Sequence, residues 1–311
     1  MTERNHILRE EKEALFEQAE KYRKDVKNRQ KNFVLDFLTL IFGAVFLVCV
    51  IELSFYYVGS FRYKKSMNEL SEAIGGGIAG DAQKKTAFSP ENRDVLVFPD
   101  EEAHELVGYV SRFDDEVSVT WREKYAYLTE FNHDCIGYLE IPDTLLSGPV
   151  MFTPEWYDKY LWKNFSGQYE HRGLPFLDAA TQIGKSQNYI IYGHNMNDGM
   201  NFGSLPGYLK KSYCEEHPYV YFNTAVSEGI YQVMYVSRSR VFKQNEDCFK
   251  FYHYGGVLTE NQFNTYLREM AKLSLYSTGV TAEWGDELIS LVTCDHYVED
   301  GRLVIVCKRV Q

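Results

Sequence analysis

The sequence predicts a mainly β domain with a few helices, carried behind a single transmembrane helix. Three observations support this reading. From Ile136 onward, short apolar runs alternate with turn residues, the pattern of a barrel or sandwich. One segment, 259–271, interrupts those runs with an amphipathic helical period. Near the N-terminus, Phe37 to Ile51 pass without a charge.

Residues 1–32 read as a charged cytoplasmic tail. Leu8, Leu15, Ala19 and Tyr22 fall on roughly one side of a helix there. Residues 33–58 read as a signal-anchor helix, because a bilayer needs roughly 20 apolar residues at 1.5 Å each. Asp36 and Glu52 sit near its ends, and Tyr56 and Tyr57 suit an interfacial aromatic belt. Between Lys21 and Lys31 stand six basic residues and one acidic residue, against Arg62, Lys64 and Lys65 beyond the span. That bias predicts a cytoplasmic N-terminus and an extracellular remainder at the cell membrane. No small-x-small cleavage pattern follows, so the span is expected to stay as an anchor.

Residues 59–95 read as a flexible spacer, broken by Gly75-Gly76-Gly77, Gly80 and Ser89-Pro90. The extracellular domain then covers 96–311, with a helical part at 100–132 and strands from 133. Leu106, Tyr109, Val110 and Phe113 recur at helix spacing, and Val119 to Phe131 repeat the pattern. Strands are expected at Ile136–Ile141, Val150–Thr153, Phe176–Leu177, Tyr189–Tyr192, Val220–Phe222, Ile230–Arg240, Glu287–Thr293 and Leu303–Cys307. Trp156 to Phe165 reads as a short aromatic helix. Thr259 and Gln262 form a capping box, and Phe263, Tyr266, Leu267, Met270 and Ala271 then mark one apolar face.

Hydrophobic residues make up 45% of the chain, enough for a sizeable core, and the net charge of −11 argues against a nucleic-acid partner. The six cysteines and eight histidines show no metal-ligand or redox spacing, so no metal site or cofactor is read from them. Apart from Cys49 in the span and Cys294, the cysteines are expected to be reduced and mostly buried.

The chemistry concentrates in two places. Ser290-Leu291-Val292-Thr293-Cys294 ends one apolar run, and Arg302 opens the next, eight residues after the cysteine. Tyr192-Gly193-His194-Asn195 lies about a hundred residues earlier. Together they supply a thiol nucleophile, an imidazole and a guanidinium, the parts needed for acyl transfer. Only a few per cent of an unperturbed thiol, pKa about 8.5, is thiolate at neutral pH. A histidine near pKa 6.5 can give and take the protons. His296 is the nearer alternative in sequence, while His171 and His217 lie in polar segments expected to be solvated. Lys308 and Arg309 are the alternative cations.

Thr-Cys closing a strand with Arg eight residues on resembles the sortase signature. Asn188 to Gly199 resembles the histidine region of class B sortases. The capped helix before the nucleophile strand, followed by Ser274 to Val280, is also similar to class B and unlike the shorter loop of class A. The resemblance covers about residues 115–311. It implies a closed sortase-type β-barrel with N-terminal helices and a helix inserted before the nucleophile strand. It implies Cys294 as nucleophile, His194 as acid/base and Arg302 as the oxyanion donor. Tyr192, Thr259, Ser290 and Thr293 are candidates to line the substrate groove; Ser290 stands where the family usually has threonine. Thr259 is also explained by its cap, and Asp295 either orients a neighbour or caps a turn.

The implied reaction is cleavage of a C-terminal sorting signal after threonine, through a thioacyl-enzyme. The implied partners are surface proteins with an Asn-Pro-x-Thr-like motif and the amine of a peptidoglycan precursor. Two rivals stay open: a pilin-linking sortase that uses a lysine amine, and a thiol protease that hydrolyses its acyl-enzyme.

Overall fold

The computed structural model describes residues 2–73, 121–224 and 227–311. The predicted helical pattern at Leu106–Phe113 and the later part of the predicted spacer, 74–95, lie outside the described residues. The chain divides into two compact units, 1–63 and 64–311.

Helix α1 runs from Thr2 to Ala73. From Phe37 to Ser71 it is long and apolar enough to cross a membrane. Its side chains there stand open; Leu40, Phe42 and Phe46 are each about two-thirds exposed or more. A helix apolar on every face is suited to lipid rather than to one buried stripe. The helix passes Val58 and takes in the first part of the predicted spacer, 59–73. No glycine or proline interrupts it between Phe61 and Ala73, and Gly75-Gly76-Gly77 follows only afterwards.

Helix α2 (Trp121–Phe131) precedes eight strands. They are β1 (Cys135–Glu140), β2 (Ser147–Met151), β3 (Phe176–Leu177), β4 (Asn188–Tyr192), β5 (Tyr219–Thr224), β6 (Ile230–Arg240), β7 (Leu288–Cys294) and β8 (Gly301–Arg309). They close a barrel in the order β1-β2-β3-β4-β7-β8-β6-β5. A closed sheet leaves no edge strand open to pairing. The predicted aromatic helix at 156–165 is instead two short 3-10 turns, Pro154–Trp156 and Lys159–Trp162. A short helix α3 (Lys211–Glu216), absent from the sequence reading, lies before β5.

Strands β4 and β7 are adjacent and parallel, Tyr192 beside Val292. Parallel neighbours need a long crossover. Here the crossover contains β5, β6 and helix α4 (Glu260–Leu273). The expected capping box is present: Gln262 N donates to Thr259 Oγ1, and Thr259 N donates to Gln262 Oε1. Phe263, Tyr266, Leu267 and Met270 are buried, each contributing about 1.5–3 kcal/mol by removal from water.

Side-chain alternation sorts the strands into two faces. Leu139, Val150, Ile191, Phe222, Val236, Leu291 and Ile305 belong to the interior cluster. Ile190, Met234, Leu288, Val292, Val304 and Val306 face outward and form a second core with α4. On β7 and β8 the even-numbered residues therefore point outward. Cys294 and Arg302 continue that series past the last apolar pair, Val292 and Val304, which also face each other across the ladder.

Candidate active site

Cys294 is the last residue of β7 and Arg302 the second of β8. They are direct partners in the antiparallel ladder, so their Cα atoms lie roughly 4.5–5.5 Å apart with both side chains on one face. Both are partly exposed. The alternative cations are displaced: Lys308 pairs with Leu288 at the opposite end of β7. Six residues of strand separate it from Arg302, roughly 20 Å. Lys308 is also held by Asp286 at 2.9 Å, and Arg309 by Glu287 at 3.2 Å.

His194 lies just beyond β4, at the same end of the sheet. Three hydrogen bonds tie its loop to the end of β7. Gly193 N donates to Val292 O at 3.1 Å, Thr293 Oγ1 to Gly193 O at 2.7 Å, and Asn195 Nδ2 to Cys294 O at 2.9 Å. The last two bracket His194 from both sides. Phe202 N donates to the His194 carbonyl at 3.0 Å, fixing its backbone as well. Position 193 accepts only glycine, because a Cβ there would meet Asn201 Oδ1 at 2.6 Å and the Phe202 ring at 2.8 Å.

The His194 ring sits between protein groups. Its Nε2 lies 2.8 Å from Leu161 O. A carbonyl only accepts, so this nitrogen carries hydrogen and Nδ1 is left as the basic atom. The Trp162 ring packs at 4.9 Å and the His171 ring at 6.3 Å. Burial pushes the imidazole pKa below its ordinary value; the Leu161 bond opposes that, and the nearby His171 adds to it. A neutral imidazole at physiological pH is therefore set to accept a proton.

The other thiols of the barrel differ. Cys135, Cys214 and Cys307 are buried. Burial pushes Cys135 up to about 12, and raises Cys214 and Cys307 as well. Cys248 is exposed, and all six cysteines are free thiols.

Of the four groove candidates, Tyr192 lies on the outward face one step short of His194. It is half-buried and donates to Asp178 Oδ2 at 3.2 Å. Thr293 is buried, and its hydroxyl is spent on the Gly193 strap. Ser290 is fully buried beneath α4, where it donates to Asn188 Oδ1 at 2.8 Å and shares a hydrogen bond with Tyr266 Oη at 2.7 Å. Thr259 is not brought to the site. The adjacent Leu258 N donates to Gln187 Oε1 at 2.7 Å, and Gln187 lies before β4, seven residues of chain from His194. Its hydroxyl serves the helix cap.

His296 is exposed on the loop after β7. His171, expected to be solvated, is exposed, yet its ring packs beside His194. His217 is only partly exposed; its Nδ1 faces Pro142 O at 3.1 Å and its ring packs on Tyr213 at 4.4 Å. Sequence reasoning missed Asn195, Leu161 O and Trp162. Asn195 was legible in the Gly-His-Asn run; Trp162 left no signal beyond its place in an aromatic segment.

The Sortase domain family matches residues 139–310, more than half of the chain. Sortase B of Listeria monocytogenes is 32% identical over 193 residues, covering 61% of this chain and 75% of the relative. Sortase B of Staphylococcus aureus is 25% identical over 191 residues, with the same coverages. The crystal structure of sortase B from B. anthracis in complex with AAEK1 superposes with a TM-score of 0.53 at 26% identity, over 61% of this chain and 85% of that one. A crystal structure of the Staphylococcus aureus enzyme gives 0.54 at 26%, over 60% and 87%. An eight-stranded closed barrel, helix α4 inserted before β7 and these similarities agree: this chain belongs to the sortase family of cysteine transpeptidases, as a class B member.

Proposed function

We propose that Cys294, His194 and Arg302 are the catalytic residues, and that the enzyme transfers surface proteins to a cell-wall amine. The observation that carries the reading is the pairing of Cys294 with Arg302 across the ladder, with the His194 loop strapped to the same strand end. The Cys294 thiol gives its proton to His194, and the thiolate attacks the carbonyl carbon of a threonine in the sorting signal. The Arg302 guanidinium, always charged, donates to the oxyanion that forms. Collapse breaks the C–N bond, and His194 protonates the leaving amine. A thioester to Cys294 remains.

The second half runs in reverse. The amine of a peptidoglycan precursor attacks the thioester, His194 removes its extra proton, and the C–S bond breaks. The thiolate recovers that proton, and an amide joins the surface protein to the wall. The sorting signal is of an Asn-Pro-x-Thr kind, and the basic cluster Lys21–Lys31 keeps the N-terminus in the cytoplasm, with the barrel outside. Tyr192 forms part of the groove floor.

A peptide-library cleavage assay on the detergent-solubilised chain tests this, with candidate amines present and products identified by mass. Expected is cleavage after threonine and a new amide to the amine. Hydrolysed product alone, unchanged by added amine, would refute transfer. A clear preference for a lysine side chain over wall-type amines would instead favour pilin linkage.

A further inference from the structure

Asp295 follows Cys294 directly and brings a carboxylate next to the proposed nucleophile. Its backbone continues the ladder, Asp295 N donating to Gly301 O at 3.0 Å, so it lies on the same rung as the residue before Arg302. A carboxylate in this position is a hazard for the reaction. Near the thiolate it repels, and against Arg302 it occupies the guanidinium that the substrate carbonyl needs.

The structure gives that carboxylate another partner. Arg238 lies on β6 and pairs with Leu303. Its neighbour Ser237 faces α4, donating to Met270 O at 3.4 Å, so alternation sends Arg238 to the interior side of the rim. Asp295 follows Thr293 in the same inward series. There Arg238 Nε lies 2.8 Å from Asp295 Oδ2 as an ion pair rather than an aligned hydrogen bond, and both atoms are closed off from solvent. The guanidinium also lies 4.8 Å from the centre of the Tyr297 ring, and Tyr297 N donates to Asp295 Oδ1 at 3.3 Å. The turn behind is tight: a Cβ at Gly301 would meet Asp295 O at 2.1 Å. Arg302, in contrast, forms no ion pair among the described residues; its Nη1 donates to Gly301 O at 2.9 Å.

We propose that Arg238 is a positioning residue for transfer: it holds the Asp295 carboxylate on the inner side of the barrel rim, away from the thiol of Cys294, and so leaves Arg302 unpaired for the substrate carbonyl. This rests on the assignment of Cys294 and Arg302 above. Two arginines thus divide their work by strand alternation, one facing in to hold the acid and one facing out toward the substrate.

A double-substitution cycle on the full chain in detergent tests it, using steady-state transpeptidation and thermal unfolding. Arg238→Met keeps an apolar stem over Tyr297 but frees Asp295. Its kcat should fall roughly ten- to hundredfold with little change in KM, short of the hundred- to thousandfold typical for losing the donor itself. Asp295→Asn alone should stay within about threefold of wild type, and Arg238→Met/Asp295→Asn should recover that level. A purely structural anchor would show no such rescue, because the double variant still lacks the ion pair. Normal turnover in Arg238→Met, or a double variant as slow as the single one, overturns the proposal. Should Arg238→Met alone fail to fold, the comparison within the Asp295→Asn background decides: further loss of kcat there also overturns it. Turnover that survives Cys294→Ala in the same preparation would instead strike the underlying catalytic assignment.

Discussion

Cys294 and Arg302 face each other across the β7–β8 ladder, on the outward side of the barrel, one pair beyond the Val292–Val304 pair that α4 covers. Only residues 295–301 lie between them, so the thiol and the guanidinium are set by one hairpin. Their separation is a property of strand geometry rather than of a mobile loop.

Removing the guanidinium should therefore act on the transition state. Arg302→Ala is expected to lower kcat a hundred- to thousandfold, about 2.7–4 kcal/mol, with KM changed far less. Arg302→Lys keeps the charge without the planar fork and should recover only part. Lys308→Ala, at the far end of the ladder, should leave turnover near normal. Steady-state kinetics with circular dichroism on each variant checks this, and near-normal turnover in a folded Arg302→Ala would move the oxyanion role to backbone amides.

Thiol reactivity should follow burial. Cys294→Ala should abolish cleavage and transfer, whereas Cys214→Ala and Cys248→Ala should retain most activity. In the native protein a charged alkylating reagent should reach Cys294 and Cys248, and reach Cys135, Cys214 and Cys307 only after unfolding. Mass mapping of the labelled peptides reads this out. Protection of Cys294 alongside the buried three would contradict its place at an open rim.

The pH profile should report the His194 environment. Burial holds its pKa below the ordinary value, so the base form persists as pH falls and the acid limb of kcat/KM lies below the usual histidine range. Trp162→Ala opens the ring to water, and His171→Gln removes a neighbour that disfavours the protonated form of His194. Both changes favour the protonated form. Each should move the acid limb to higher pH, lowering activity first on the acid side. Rate profiles of the three proteins, or imidazole titration by NMR, decide; an unmoved limb in both variants would remove Trp162 and His171 from the site.

Ser290 separates stability from substrate contact. Ser290→Ala leaves Asn188 Oδ1 and Tyr266 Oη short of a buried partner, which costs about 1–3 kcal/mol. The denaturation midpoint should fall while kcat and KM of the folded enzyme hold. A raised KM at unchanged stability would put Ser290 back in the groove.

The chain itself carried a good deal of this. Most strands of the barrel contain an apolar run bounded by turn residues, and the helix signal at Thr259–Gln262 is local hydrogen-bonding chemistry that needs no tertiary partner. The apolar run at 37–51 and its flanking charges are likewise properties of the segment alone, as is the Thr-Cys pair with its later arginine. Tertiary structure decided which faces those runs present. Ser290, Val292 and Cys294 share one alternation series, yet α4 covers the first two and stops short of the third, so one hydroxyl becomes core while the thiol stays open. No local pattern records where a helix fourteen residues long comes to rest. The same holds for Leu161 O, Trp162 and Arg238, which reach the site from 133, 132 and 56 residues before Cys294. Their partners are chosen by barrel closure, which joins β4 to β7 and β6 to β8 across long stretches of chain. Hydrogen bonds and ion pairs act over a few ångströms of space, and only the closed sheet brings those groups within that range.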